Sequence, residues 1–194
     1  MKRIILTLGI MVIMAATGCN DQEEKAVTVD YEHIQTEDSK EYAVIQGKDD
    51  QGEVVWKIET EKNPMALINE VQEIGVRGDH YYYQSSKGIF AVNISDGSQI
   101  WKNKDARGEH FLWGEDGNLY MIRSSSPEFC VLDQDGKTIH IIKEFDPDGV
   151  YKWPADIRMD RDKILIELTK DSSDSQTATC VINAKDFSYT MKDQ

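Results

Sequence analysis

The side chains best able to do chemistry are three cysteines and four histidines, and their spacing argues against a metal site. Cys19, Cys130 and Cys180 lie far apart in the chain, and the histidines occur singly, as His33, His80, His110 and His140. Zinc sites combine Cys and His at short, repeated spacings. No Gly-x-Ser-x-Gly turn or Gly-rich phosphate loop is present either. We therefore predict no metal site, no cofactor and no catalytic residue.

Two acidic turns leave one metal hypothesis open. Asp133–Gly136 and Asp146–Gly149 each place two aspartates before a glycine. A calcium loop needs further oxygen ligands and a terminal acid at fixed spacing, which neither segment supplies. Asp-Gly is also typical of a hairpin turn, because these residues tolerate a positive φ. We favour the hairpin interpretation.

The first residues are typical of an export signal. Lys2 and Arg3 precede an almost wholly apolar run, Ile4–Ala16. Thirteen residues rise about 20 Å as a helix, whereas the core of a bilayer is about 30 Å thick. The run is therefore too short to span a membrane and predicts a cleaved signal peptide.

The end of this run resembles the bacterial lipoprotein signal. Small residues at Ala16–Gly18 precede Cys19, and the resemblance implies that Cys19 is lipidated and becomes the first mature residue. The family usually has Leu where this chain has Ala16. An ordinary secretory signal with an incidental Cys19 is the alternative. We expect a signal peptide over residues 1–18, a lipidated Cys19 with an acidic tether to residue 40, and a folded domain over residues 41–194.

The charge excludes one class of partner and describes another. The chain has 194 residues, 22 Lys+Arg and 35 Asp+Glu, for a formal charge of −13. Cleavage after residue 18 would remove Lys2 and Arg3 and no acid, so the mature charge would be 20 − 35 = −15. Nucleic-acid binding needs clustered Lys and Arg. We predict no nucleic acid, a membrane partner through the lipid on Cys19, and an envelope protein partner.

The mature sequence reads as short strands separated by Gly and Asp turns. Strand-length runs recur every 8–12 residues, which predicts an all-β fold. Only Met65–Val71 has a pattern that suits a helical turn. Cys130 and Cys180 fall at the same position of two such runs. Equivalent positions in neighbouring sheets are about 10 Å apart, too far for a disulfide, so we predict two buried free thiols.

A longer period organises these strands. Gly52, Gly97 and Gly136 precede Trp56, Trp101 and His140 by four residues each, at steps of 45 and 39 residues. Such a period is typical of propeller blades with four strands each. The segment Ala91–Trp101 resembles the pyrroloquinoline-quinone-type propeller repeat, with Asn93 in place of its Asp and Asp96 in place of its Thr. A fourth copy, from Asn183, lacks both Gly and Trp.

The resemblance implies that the repeat tryptophans, Trp56 and Trp101, pack between adjacent blades. The length allows three and a half to four blades, and a four-bladed ring would close by pairing the last strand with a strand near residues 27–33. A β-sandwich is the alternative fold. The quinone is not implied, because no cofactor-contacting motif is present.

Two functions from different classes follow. The first is a non-enzymatic surface lipoprotein on the extracytoplasmic face of the cell membrane, with a β-propeller-like binding or scaffold domain. The second is a ligand-sensing or enzymatic lipoprotein whose site lies at the blade centre, with Asn93 and Asp133 as candidates by repeat position. A third observation concerns aromatic residues: alternation predicts that at least one of Tyr81–Tyr83 faces outward, so that Tyr82 and Trp153 could form an apolar patch, and core packing explains these residues equally well.

Overall fold

The computed structural model describes residues 8–10, 27–36, 40–64, 71–123, 128–143, 145, 151, 153–170 and 177–193. These residues form antiparallel β-sheets and no helix. The first sheet has the order β1-β2-β3-β4, with β5 also paired to β3. Its strands are β1 (Leu8–Ile10), β2 (Thr28–Gln35), β3 (Lys40–Lys48), β4 (Val54–Glu59) and β5 (Asn63–Pro64).

Three further sheets follow in chain order, each with four strands in sequential order. The second sheet contains β6 (Gln72–Arg77), β7 (His80–Ser85), β8 (Gly88–Asn93) and β9 (Gln99–Asn103). The third contains β10 (His110–Trp113), β11 (Leu119–Arg123), β12 (Glu128–Leu132) and β13 (Thr138–Ile142). The fourth contains β14 (Trp153–Asp160), β15 (Lys163–Thr169), β16 (Thr177–Asn183) and β17 (Tyr189–Asp193). Four successive antiparallel sheets confirm the predicted propeller-type repeat, and the sandwich alternative is set aside.

The chain divides into two compact units, Met1–Lys104 and Asp105–Gln194. Each unit contains two sheets, and the turn before the fourth strand differs between them. In the first sheet of each unit this turn is short: Asp49 Oδ1 accepts bonds from the amides of Gln51 and Glu53, and Asp133 Oδ1 does the same with residues 135 and 137. The predicted hairpin turn at Asp133–Gly136 therefore forms.

In the second sheet of each unit the turn is longer. Gly97 N donates to Asn93 O at 2.9 Å, and Phe187 N donates to Asn183 O at 2.8 Å. In both turns an aspartate accepts a hydrogen bond from the amide of the serine two residues later: Asp96 from Ser98, and Asp186 from Ser188. The fourth copy of the repeat thus keeps the loop although it has lost the glycine, and Phe187 takes the left-handed conformation with φ of 57°.

Each unit has its own apolar core between its two sheets. The first core is formed by buried residues of β2, β3, β4, β7 and β8 together with Val71 and Ile94, and the second by residues of β11–β16 with Phe145. Tyr83 stacks on Phe90 with ring centroids 4.9 Å apart in the first unit. Alternation along each strand places one set of side chains in these cores.

Two described segments lie within the expected signal peptide and tether. The strand near residues 27–33 is β2, which pairs with β1 and β3. β2 also lies inside the expected tether, so the folded sheet starts before the predicted boundary at residue 41. Its Val29 is buried in the first core. Leu8–Ile10, within the expected signal peptide, form a strand beside β2.

The possible helical turn at Met65–Val71 lies outside the described residues, apart from Val71, which is in a bend. In the part of the chain that the structure describes, no helix has the length and apolar character needed to cross a bilayer.

Candidate functional site

The two candidates chosen by repeat position, Asn93 and Asp133, are both engaged in turns. Asn93 Oδ1 accepts hydrogen bonds from the amide and the hydroxyl of Ser95, at 2.9 and 2.8 Å. Asp133 Oδ1 accepts from the amides of Asp135 and Lys137, at 3.1 and 2.8 Å. These bonds give each side chain a structural task in its own hairpin.

One of the two candidate calcium loops uses its first aspartate in the same way. That aspartate, Asp133, accepts hydrogen bonds from the turn amides through its Oδ1. The described residues contain no group of three or more His, Cys, Asp or Glu side chains able to hold a metal ion. The second loop, residues 146–149, lies outside the described residues, as does Cys19.

The two remaining cysteines are buried free thiols, as predicted. Burial raises the pKa of Cys130 to about 11, with a further contribution from the charge of Glu128. Burial raises the pKa of Cys180 to about 12. Both thiols therefore stay protonated at neutral pH and pack as small apolar side chains, which suits neither nucleophilic catalysis nor metal binding.

A polar cluster packs against the core of the first unit and was missed by the sequence analysis. His33 Nε2 lies 3.1 Å from Glu41 Oε2, and Tyr81 Oη donates to Glu73 Oε1 at 3.1 Å. Tyr31 is subject to the negative charge of both Glu73 and Glu41. The side chain of Glu41 is only 10% exposed, and its Oε1 has no hydrogen-bond partner among the described residues. One signal was available: Glu41 shares a strand face with the buried Ala43 and Ile45.

The electrostatics of this cluster favour the protonated form of its titratable groups. Burial and then the charge of Glu73 raise the pKa of Tyr31 and of Tyr81 far above the ordinary value. Burial also raises the pKa of Glu73, while the hydrogen bond from Tyr81 opposes the rise. The phenols stay protonated at neutral pH and act as hydrogen-bond donors. The cluster therefore lacks an activated nucleophile.

A small groove lies on the fourth sheet. It has a volume of about 210 Å³ and is lined by residues of β15, β16 and β17, including Lys163, Asn183 and Lys192. Pockets for drug-sized ligands usually enclose about 300–1,000 Å³. This groove is therefore small for an enzyme active site.

Exposed apolar side chains concentrate on the fourth strand of each sheet. Among the described residues, seven large hydrophobic side chains are exposed, and six of them are on fourth strands: Val54, Val55, Ile100, Ile139, Ile141 and Tyr189. The seventh, Trp153, is on β14. When the outer edge of a strand is unpaired and its exposed side chains are apolar, a strand of another chain can pair with that edge. The fourth strands are therefore the best candidate binding surface of this molecule.

The predicted aromatic patch is not formed as expected. Tyr81, Tyr82 and Tyr83 are all buried. Tyr82 lies with its ring centroid 5.8 Å from that of Trp101, on the neighbouring part of the same sheet. The prediction of an exposed Tyr82 was wrong because β7 is an inner strand whose two faces are both covered.

The sheets and their turns define an all-β protein of the β-propeller type. No protein-family model matches the chain, and no curated protein matches its sequence. Among solved structures, the crystal structure of BamB from Moraxella catarrhalis matches with a TM-score of 0.52 and 13% identity, over 85% of this chain and 46% of BamB. A crystal structure of a eukaryotic initiation factor matches with a TM-score of 0.51 and 11% identity, over 88% of this chain and 41% of that protein.

These likenesses support the propeller fold that the repeat predicted. The chain spans less than half the length of both matched structures. At such low identity a shared fold carries no information on ligand or activity, because function depends on sites placed on the fold.

Proposed function

We propose that this chain is a non-enzymatic, lipid-anchored binding module of the β-propeller type that holds an envelope protein at the extracytoplasmic face of the cell membrane. The observation that carries the binding role is the concentration of exposed aliphatic side chains on the fourth strands, which include Val55, Ile100 and Ile139. Exposed apolar side chains that concentrate on edge strands favour a protein-binding role. The likeness to BamB supports the β-propeller fold of this module.

The anchor rests on the amino-terminal sequence. Lys2, Arg3 and the apolar run to Ala16 precede Cys19 in the order of a lipoprotein signal. Two acyl chains on Cys19 would give stable attachment, where one chain gives only marginal binding. The expected mature charge of 20 − 35 = −15 would repel an anionic membrane surface and so keep the folded domain away from the lipid.

The anchor is tested by labelling cells with palmitate. Label should enter the wild-type protein and the Cys130→Ala variant, and should be lost from Cys19→Ala, which should leave the membrane fraction. Cys130→Ala is the matched control because it removes a thiol that is buried in the fold. Full labelling and membrane retention of Cys19→Ala would contradict the anchor.

The binding role is tested by photo-crosslinking in intact cells. A crosslinking residue in place of Val55, Ile100 or Ile139 should capture a discrete envelope protein. The same residue in place of Asp96, which is exposed in a turn, should capture little. Equal capture from all four positions, or capture from none, would contradict a binding surface on the fourth strands.

A ligand-sensing or enzymatic lipoprotein is the second candidate, and one observation favours it. The buried carboxylate of Glu41 has an oxygen with no partner among the described residues, which is unusual in a folded protein. A ligand with a cationic or hydrogen-bond donor group would satisfy that oxygen. Comparing thermal stabilisation by a library of such compounds in the wild type and in Glu41→Gln tests this candidate, and a compound that stabilises only the wild type would favour it.

A further inference from the structure

The fourth strands share a lysine at one position, with a single exception. The fifth residue after the turn residue of positive φ is Lys57 in β4, Lys102 in β9 and Lys192 in β17. All three are exposed. In β13 the same position holds Ile141, which is 45% exposed.

This exception matters because a lysine protects an unpaired strand edge. A charged side chain on an edge strand must be desolvated when another strand pairs there, so edge lysines oppose such pairing. Within the described residues β13 pairs only with β12. Its residues 138–142 include no Lys, Arg, Asp or Glu, and Ile139 and Ile141 are both exposed. The register of β13 shifts at Ile139, between the pairs Val131–His140 and Leu132–Thr138. By charge, β13 is therefore the least protected of the four outer edges.

The strand is also held in place by two of its other residues. His140 stacks on Phe187 with ring centroids 4.6 Å apart, and Ile142 is buried in the second core. A strand that is already ordered loses little conformational entropy when a further strand is added. The exposed Ile139 and Ile141 are thus presented on a fixed backbone.

The charges at the two ends of β13 indicate what would pair with it. Lys137 and Lys143 flank the strand and are both exposed. An antiparallel pairing of two copies that sets Ile139 opposite Ile141 also sets Lys137 opposite Lys143, at both ends. Like charges directly opposite each other destabilise a strand pair. In this register a second copy of the chain is therefore disfavoured, and a segment with an acidic residue at each end is favoured.

We propose that β13 accepts an extended segment of a partner protein as an additional strand, and that this segment has alternating apolar side chains with an acidic residue at each end. Backbone hydrogen bonds to the edge of β13 supply the affinity, while Ile139, Ile141 and the two lysines supply the selectivity. Acidic residues at both ends meet Lys137 and Lys143 in either strand direction. This inference rests on the proposed binding function and names its partner class.

The test uses a defined probe and the full chain without its first 18 residues. The probe is the fluorescein-labelled peptide Glu-Thr-Val-Thr-Val-Thr-Glu, in which the valines lie on the same strand face as the glutamates. We expect saturable binding to the wild type, followed by fluorescence anisotropy, and about tenfold weaker binding by Ile141→Lys, which restores the lysine of the other three strands. Trp153→Lys on β14 is the control, because it puts a lysine at an exposed apolar residue outside the fourth strands, and it should bind as the wild type does.

Two further arms separate strand addition from simple adhesion. A peptide with N-methyl groups on all its amides has no N–H donor on either strand edge, so it cannot complete the ladder and should not bind. The double variant Lys137→Glu and Lys143→Glu should prefer a peptide with Lys at each end, while the wild type prefers Glu. Equal binding of the N-methylated peptide, or an unchanged preference in the double variant, would overturn the proposal.

Other occupants are outcomes of the same experiments. A wild-type dimer in sedimentation velocity that Ile141→Lys converts to a monomer would overturn the proposal in favour of a second copy. Absence of peptide binding would overturn strand addition, whereas crosslinks from Val55 and Ile100 in cells would still support the binding function. If those crosslinks were absent but the peptide still bound, the result would count against the proposed function and in favour of strand addition at β13.

Discussion

In the first unit, Trp56 of β4 lies between two glycines, whereas in the second unit His140 of β13 lies between two large side chains. A Cβ at Gly47, opposite Trp56 in the sheet, would overlap the indole, and a Cβ at Gly97 would lie 2.7 Å from it. Trp56 Nε1 also donates to Ile94 O at 2.6 Å. This confirms the packing between adjacent sheets that the repeat implied for Trp56.

The second unit fills the equivalent space from the opposite direction. Val131 lies opposite His140 in the sheet, where the first unit has Gly47. Phe187 occupies the turn position of Gly97 and stacks on His140 at 4.6 Å. In the first unit the large side chain, Trp56, is therefore on the fourth strand. In the second unit the large side chain, Phe187, is in the turn. Because interiors are packed at nearly constant density, each choice constrains the other two positions.

The largest effect should come from converting the first junction toward the second. Trp56→His removes most of a buried ring and a hydrogen bond, and should lower the free energy of unfolding by about 3 kcal/mol. Adding Gly47→Val and Gly97→Phe to this variant should restore about half of the loss, because the side chains of the second unit then fill the space. Urea unfolding measures both.

The control for this transplant is His140→Ala, which should cost about 1 kcal/mol because a partly exposed ring stack is lost. A triple variant no more stable than Trp56→His would show that the two junctions are not equivalent. A cost for His140→Ala as large as that of Trp56→His would contradict the contrast in packing.

The next effect concerns the turn glycine. Gly97→Ala places a methyl group against the indole of Trp56 at a residue with φ of 69°. We expect a loss of about 2 kcal/mol from crowding and backbone strain together. Gly52→Ala is the matched control, since Gly52 has φ of 81° at the same repeat position and open space around its Cβ. It should cost about 1 kcal/mol, and equal costs at the two sites would exclude a contribution from Trp56.

A smaller effect is expected at Phe187, whose φ of 57° is rare for a residue with a side chain. Phe187→Gly removes the stack on His140 but relieves this strain, so we expect a net loss of about 1 kcal/mol. Phe187→Ala loses the ring and keeps the strain, and should therefore be less stable than Phe187→Gly. Thermal unfolding of both variants checks the order, and the reverse order would mean that the turn stores no strain.

The local features of this fold were predictable because they depend on residues close in the chain. Alternation and the turn residues predicted short antiparallel strands, and the described residues form them. The spacing of Gly52, Gly97 and Trp56 predicted the sheet repeat. Bulges interrupt the alternation of two strands, at residues 73–75 in β6 and 154–156 in β14, which makes these strands harder to recognise in the sequence.

The compensating residues could not be predicted because each acts across a long stretch of sequence. His140 looked like a lost tryptophan, and the sequence does not show that Phe187 stacks on it. The polar cluster has the same origin, since Glu41 and Glu73 lie on strands of different sheets. The unprotected edge at Ile141 was visible as a missing lysine once the turns had aligned the four copies.

The smallest effect tests a further difference between the units, which is the polar cluster at the first core. Burial raises the pKa of Glu73 above its ordinary value of 4.5, although the Tyr81 hydrogen bond opposes the rise. A carboxyl whose folded pKa is raised contributes stability below its unfolded pKa, and this contribution is lost as the pH rises through the folded pKa. Glu73→Gln cannot ionise and keeps an acceptor for Tyr81. It should therefore be more stable than the wild type at pH 7, by about 0.5 kcal/mol after allowance for solvent screening.

The advantage of Glu73→Gln should vanish near pH 3, where the wild-type carboxyl is protonated in both states. Glu61→Gln in the same unit is the opposite control. Although its partial burial raises the pKa of Glu61, the hydrogen bond and charge of Lys87 lower it overall, so removing that charge should destabilise the protein at pH 7. Urea unfolding at pH 3, 5 and 7 distinguishes the two signs. A Glu73→Gln variant that is less stable at pH 7 would contradict this prediction. It would mean that the buried carboxylate, like the apolar core of the first unit, contributes favourably to the free energy of unfolding.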